Sequence, residues 1–166
     1  MFEIVDNKNR KYPNVDIKLP ERKTKHSAGY DFYSNECRTL YPRRAFLHWT
    51  DVKVKLQPDE VLLVLPRSSI AIKRHIRLTN TIGVIDSDYY SNESNDGNIG
   101  ISMYNFGYAP KRIKKGERIA QGLIINYRAF EEVAKVRNGG IGSTDFNDPE
   151  SIAKSRKIYK IGTGKT

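Results

Sequence analysis

Short runs of apolar and β-branched residues, each closed by Pro, Gly, Asn or Asp, set the rhythm of this chain. They fall at residues 15–19, 44–55, 61–65, 76–79, 99–104 and 119–126, the spacing of a β-sandwich or barrel. Val61-Leu62-Leu63-Val64-Leu65 is apolar throughout and predicts a strand buried on both faces. Asp51-Val52-Lys53-Val54-Lys55-Leu56 alternates, which predicts cover on one face only. Helical signals are sparse. Residues 68–73 predict one short turn of helix. Asp148 ahead of Pro149-Glu150 has an N-cap, an N1 proline and an early acid in the order of a short C-terminal helix. Residues 91–97, Ser-Asn-Glu-Ser-Asn-Asp-Gly, are wholly polar and predict an exposed loop. The pattern is mainly β, without an internal repeat.

Length and composition narrow the picture. With 166 residues, 38% hydrophobic and 29% charged, the chain suits one soluble globular domain with a sizeable core. Its net charge of +10 favours anionic partners such as nucleotides or nucleic acid, without choosing among them. Cys37 is the only cysteine, which excludes an internal disulfide and a cysteine zinc cluster. His26, His48 and His75 lack metal-site spacing. The first residues carry no signal-peptide core, and no run of about 18 apolar residues suggests a membrane span. Cytoplasmic residence is the default expectation, in a host cell if a virus encodes the protein.

Candidate chemistry gathers in four segments. In Gly83-Val84-Ile85-Asp86-Ser87-Asp88-Tyr89-Tyr90, a β-branched pair runs into two carboxylates and two aromatics. Asp86 thus falls where a buried strand gives out, a partly desolvated position suited to a general base. Tyr89 can offer a ring face to a sugar or base. Alone, the segment reads as a hairpin end. Pro66-Arg67-Ser68-Ser69 follows the apolar strand and brings together a guanidinium fork and two hydroxyls, a set suited to phosphate oxygens. Gly116-Glu117-Arg118-Ile119-Ala120-Gln121 adds an Arg and a Gln at short spacing, and Gly139-Gly140-Ile141-Gly142-Ser143-Thr144 is rich in backbone donors able to wrap a polyphosphate. The ending Gly162-Thr163-Gly164-Lys165-Thr166 fails as a P-loop, because Tyr159 stands where the first glycine is required.

Taken in order, these segments resemble the five motifs of the homotrimeric dUTPase family, with Ala28-Gly29-Tyr30-Asp31 as the first and Asn80 through Tyr89 as the third. The likeness covers roughly residues 15–145. It implies an all-β, distorted jelly-roll-like barrel or sandwich with a short helix and a C-terminal arm. It also implies a β domain over residues 1–138 and a glycine-rich closing arm with a basic tail over 139–166. The implied activity is Mg²⁺-assisted hydrolysis of dUTP to dUMP and pyrophosphate, in a homotrimer with shared active sites. By resemblance, Asp86 deprotonates the attacking water, Tyr89 lies beneath deoxyribose, and Asn80 stands near uracil and the water. Arg67, Ser68, Ser69, Arg118 and Gln121 match phosphate-binding positions, and Gly83 belongs to the third motif. Asp31 matches an acid that holds metal-bound waters from an outer shell. Ile141, Gly142, Ser143 and Thr144 match the closing arm.

The chain departs from the family pattern twice. Six polar residues, 91–96, are inserted where the family's third motif runs on directly, so the backbone of Asn98, Ile99 and Gly100 is the expected uracil cradle. Ile141 stands where an aromatic lid is usual, which leaves Phe106 or Phe146 to serve. Two alternatives remain open: a dCTP deaminase of the same fold, disfavoured because residues 101–105 contain no acid, and a dUTPase-like regulator that binds a partner protein. Dispersed lysines and arginines predict no specific nucleic-acid partner.

Overall fold

The computed structural model describes residues 1–130 and Gly139. In chain order the strands are β1 (Phe2–Ile4), β2 (Tyr30–Tyr33), β3 (Arg38–Leu40), β4 (Ala45–Trp49), β5 (Val52–Val54) and β6 (Glu60–Pro66). Helix α1 (Ser68–Arg74) follows, then β7 (Ile76–Leu78), β8 (Gly83–Asp86), β9 (Gly100–Asn105), β10 (Lys111–Ile113) and β11 (Arg118–Asn126). A four-stranded sheet runs β2-β11-β6-β8 and a three-stranded sheet β4-β9-β7; β1 pairs with β5 and β10 with β3. Every pairing is antiparallel. The expected all-β class with one short helix is what forms. Among the described residues no helix is long and apolar enough to cross a membrane.

The core lies between the two larger sheets. Phe32, Leu62, Val64 and Ala120 come from the four-stranded sheet, Ile101, Met103 and Leu78 from the other, with Ile70 of α1 closing one end. Gly122 lets the layers meet, since a Cβ there would stand 2.7 Å from Leu62 and 3.0 Å from Phe32.

Several expected elements change form. Residues 15–19 make no strand; Pro13 and Pro20 flank them, and Ile17 alone is buried. The run 44–55 breaks at Asp51, which takes a left-handed φ of 55°. Its fully buried carboxylate accepts from the Lys11 and Tyr12 amides, both at 2.8 Å, and from Asn98 Nδ2 at 2.9 Å. Those three donors supply the compensation that a buried charge requires. Residues 52–54 are covered on both faces rather than one. On β6, Val61, Leu62 and Val64 are buried, while Leu63 and Leu65 stay half-buried on the outer face. The C-terminal helix expected near residue 148 lies outside the described residues.

The polar segment 91–97, which holds the insertion 91–96, is exposed only in part, at Ser91, Glu93 and Ser94. Asn92, Asp96 and Gly97 are buried. Asn92 Oδ1 accepts from the amides of Ser94 and Asn95, and Asn95 Oδ1 accepts from the Gly97 amide, so side chains stand in for a turn's backbone bonds. Gly97 is required there: its φ is 78°, and a Cβ would lie 2.8 Å from the Tyr89 carbonyl. Asp96 then ties the loop to Asp6, beside β1, and to Lys53, on β5. Its carboxylate accepts from the Asp6 amide at 2.7 Å and from Lys53 Nζ at 2.9 and 3.0 Å. Lys53 also lies 5.0 Å over the Tyr90 ring, whose hydroxyl donates to Glu3.

Burial pushes the Asp96 carboxyl up, but the Asp6 amide and the Lys53 ammonium outweigh it and hold the group below its ordinary value. Burial likewise pulls Lys53 down, and the Asp96 carboxylate reverses that shift. Asp96→Asn is therefore expected to cost about 3 kcal/mol in urea unfolding at pH 7, since it leaves a buried ammonium without its counter-charge. With its folded pKa lowered, the carboxylate's contribution is complete above the ordinary range near ~3.9 and fades as pH falls through the lowered value. Lys53, raised, loses its share only as pH climbs above ~10.4. Wild type and Asp96→Asn should accordingly converge in stability in strong acid.

Candidate active site

Paired residues in antiparallel strands share a face. Leu65, Gln121 and Asp31 are level with one another on the outer face of the four-stranded sheet; Leu63, Val84 and Leu123 form the next row, and Val61, Asp86 and Ile125 the last. An apolar field thus separates a polar end at Asp31 and Gln121 from another at Asp86.

At the first end, Pro66 closes β6 and Arg67 turns back over β2. Arg67 Nε lies 2.9 Å from Asp31 Oδ1, and Arg118 Nη1 lies 3.0 Å from Asp31 Oδ2. A bulge in β11 opposite β2 brings Arg118 there: Ile119 and Ala120 are both buried, so the strand skips a step and Arg118 shares the face of Asp31. Asp31, itself buried, holds two guanidinium forks apart and oriented. Gln121 Nε2 donates to the Pro66 carbonyl at 3.3 Å, and Gly29 packs under Gln121, where a Cβ would stand 3.0 Å from Oε1. Ser68 and Ser69 are exposed at the start of α1, with Ser69 Oγ accepting from Arg67 at 3.3 Å.

An open cleft of ≈ 680 Å³ lies beside this cluster, lined among others by Lys23, Arg67, Ser69, Lys73, Arg74 and Arg118. Five cations and one carboxylate, Glu117, line it, and Arg74 is paired with Glu117. Lys23, Lys18 and the Tyr33 hydroxyl hold the neighbouring Glu21 carboxyl down to about 2, which keeps that acid ionised and Lys23 cationic. The cleft suits an extended polyanion. Lys23, Lys73 and Arg74 escaped the sequence reading, because single basic residues on a turn or a short helix carry no local signature.

At the far end, β8 finishes at Asp86, which is half-buried and begins a 3₁₀ turn over Ser87–Tyr89. Tyr89 is buried; its hydroxyl donates to the Asn98 carbonyl at 2.9 Å and accepts from Asn95 Nδ2 at 2.8 Å. Asn80 is exposed in the turn before β8, with its side chain close to Gly83, which pairs with Val64. Of the expected cradle, Asn98 and Ile99 have their amide and carbonyl groups engaged inside the chain. Odd-numbered residues of β9 turn their peptide groups to β4, as the Ile99 and Asn105 bonds show, so Gly100 turns its own to the side on which β7 has already ended. Phe106 packs edge-on against His75 with centroids 5.4 Å apart. Ile141, Gly142, Ser143, Thr144 and Phe146 lie outside the described residues.

The two ends do not meet within one chain. Asp86 pairs with Val61 and Arg67 follows Pro66, so six residues of extended strand, roughly 20 Å, separate them along β6.

The sequence model of the family described as dUTPase matches residues 15–148. The deoxyuridine 5'-triphosphate nucleotidohydrolase of Lactococcus lactis subsp. lactis is 39% identical over 147 residues, covering 86% of this chain and 95% of its own. The mouse enzyme of that name is 36% identical over 135 residues, covering 77% and 78%. Among solved structures, the dUTPase of Streptococcus mutans superposes with a TM-score of 0.69 at 34% identity, covering 79% of this chain and 98% of that one. The dUTPase of Staphylococcus bacteriophage 80α, described among phage dUTPases that control transfer of virulence genes, gives 0.63 at 26% identity, covering 84% and 97%. Because the tightest neighbour of a Cβ added at Gly29 would be the flexible Oε1 end of Gln121, with Gln121 Cβ at an ordinary 3.6 Å, Gly29→Ala should change unfolding free energy by less than about 1 kcal/mol while weakening pyrophosphate binding, measured by calorimetry, several-fold.

Proposed function

We propose that this chain, which belongs to the dUTPase family and is a dUTP-hydrolysing enzyme, works as a homotrimer in which Asp86 of one subunit serves the phosphate site of another. The observation that carries this reading is the distance along β6 between Asp86 and the Arg67–Asp31–Arg118 cluster. The face between them supports it. Val84 is 59% exposed and Ile125 42% exposed, beside half-buried Leu63 and Leu123, an apolar field suited to contact between copies.

In the reaction we infer, Asp86 takes a proton from a water whose oxygen forms a bond to the α-phosphorus. The bond from that phosphorus to the bridging oxygen breaks, and pyrophosphate leaves with the electron pair. Arg67 and Arg118 face the charge that grows on the leaving group, with Ser68, Ser69 and Gln121 as hydrogen-bond donors. Asn80, Gly83 and the peptide groups of Gly100 would face uracil, and Tyr89 the sugar. Ile141, Gly142, Ser143 and Thr144 would close over the phosphates as an arm within segment 139–166, distinct from the domain over 1–138. The enzyme is expected in the cytoplasm.

Mg²⁺ fits this site in one particular manner. Among the described residues no group of three or more His, Cys, Asp or Glu side chains could hold a metal ion, and Asp31 already accepts from two guanidinium groups. That donor set suits an ion carried by substrate phosphates with most of its waters retained, which Asp31 would meet from the outer shell. When bound, such an ion supplies neutralisation of phosphate charge.

The deaminase alternative fails on family membership and on β9, whose residues include no carboxylate. A regulatory partner protein is a second reading, favoured by the likeness to the 80α enzyme.

Pyrophosphate release from dUTP, dTTP, UTP and dCTP tests the activity. Turnover is expected with dUTP alone, reduced about 10³-fold in Asp86→Asn and lost on chelation of Mg²⁺; ammonia release from dCTP would overturn the reading. The shared site has its own test. Asp86→Asn and Arg67→Ala, each nearly inactive, should regain up to about one third of wild-type activity when co-refolded, since a mixed trimer restores one intact site. Failure of the mixture to exceed either parent would place both residues in a single chain's site.

A further inference from the structure

We propose that Asn95, in the inserted loop, is a specificity-determining positioning residue that fixes the Tyr89 ring so that the sugar site cannot yield to a 2′-hydroxyl. The inference rests on the assignment of Tyr89 to the sugar and adds what holds it. The Tyr89 hydroxyl is caught between the inserted loop and the residues leading into β9: it donates to the Asn98 carbonyl at 2.9 Å, just before β9, and accepts from Asn95 Nδ2 at 2.8 Å. Asn95 Nδ2 also reaches the Asn98 carbonyl, at 3.3 Å, which closes a small ring of three polar groups around the hydroxyl. A second asparagine of the same loop holds the backbone. Asn92 Nδ2 donates to the Tyr89 carbonyl at 2.8 Å and to Asn95 Oδ1 at 2.8 Å, so both ends of the tyrosine are fastened to one hydrogen-bonded unit.

The chemistry of discrimination makes this matter. Rejecting a substrate that merely adds a hydroxyl is hard for an apolar wall, because the wall can shift by a fraction of an ångström. A wall whose far edge is hydrogen-bonded and buried cannot shift without stranding those groups away from water. Tyr89 is such a wall, and the asparagines that hold it belong to the insertion. The insertion is anchored elsewhere by the separate Asp96–Lys53 pair, so that anchorage can be perturbed without touching the partners of the Tyr89 hydroxyl.

The experiment compares kcat and KM for dUTP and UTP in Asn95→Leu, Tyr89→Phe, Tyr89→Ala and Asp96→Asn, with thermal unfolding measured alongside. Asn95→Leu, which keeps the branched shape and removes the donor to Tyr89 along with the Oδ1 acceptor, is expected to lower the dUTP-to-UTP ratio of kcat/KM about tenfold through a gain in UTP use. Tyr89→Phe should lower the ratio likewise, and Asn95→Leu should leave kcat for dUTP little changed. Asp96→Asn should lower the unfolding temperature and leave the ratio as in wild type. If Tyr89→Ala relaxes the ratio while Asn95→Leu and Tyr89→Phe leave it unaltered, the positioning role is overturned and Tyr89 keeps its place under the sugar. If Tyr89→Ala leaves the ratio unaltered, the sugar assignment itself falls. Should Asn95→Leu not fold, Tyr89→Phe decides alone.

Discussion

Everything in this structure is referred to one strand. β6 is paired along both edges, with β11 over its whole length and with β8 over its first half, and its inward side chains Leu62 and Val64 lie at the centre of the core. A strand held in this way cannot slip, because a one-residue slip would expose Leu62 and bury Leu63 together with every partner in the row. Its two ends therefore become fixed reference points. One hands the chain through Pro66 to the arginine and the serines; the other carries Asp86 as the partner of Val61. The proposed chemistry sits at the ends of the most constrained element, where positional precision costs no further ordering.

Electrostatics then differentiates the ends. At one, a buried carboxylate is outnumbered by guanidinium groups and by the lysines of the cleft, so the local field favours an anion. The bulge in β11 is the device that makes this possible, since a regular strand would have turned Arg118 into the core. At the other end half-buried Asp86 and exposed Asp88 lead into a polar segment, and neither lines the cationic cleft. The separation along β6 keeps Asp86 roughly 20 Å from the arginines of its own chain.

Much of this was legible in the sequence, and the reasons are uneven. The runs at 61–65, 76–79, 99–104 and 119–126 formed strands because β-branched and apolar residues with sharp closing turns leave few alternatives. Residues 68–73 formed the helix, one residue longer than the pattern indicates. The three-residue strands β1, β3 and β10 carry too few positions to show a period at all. Asp51 could not be anticipated: nothing local tells that a carboxylate within an alternating run will be buried and satisfied by amides some forty residues away. The insertion misled for a related reason. Its polar composition promised solvent, but Asn and Ser side chains bonded to one another and to backbone can build a compact unit without an apolar residue. Of the site, the residue types at Asp86, Arg67, Arg118 and Gln121 were readable, whereas their division between two ends of a sheet is a property of pairing register and has no trace in sequence order.

That division has a genetic side. In an assembly that borrows Asp86 from one subunit and the guanidinium cluster from another, a well-folded chain with a single lesion damages sites it only half owns. Beside an intact copy such an allele costs one site per lesioned chain and no more, but two inactive alleles lesioned at opposite ends can complement each other, whereas two alleles lesioned at the same end cannot. The spacing of two residues along one strand thus sets the complementation pattern expected of catalytic lesions.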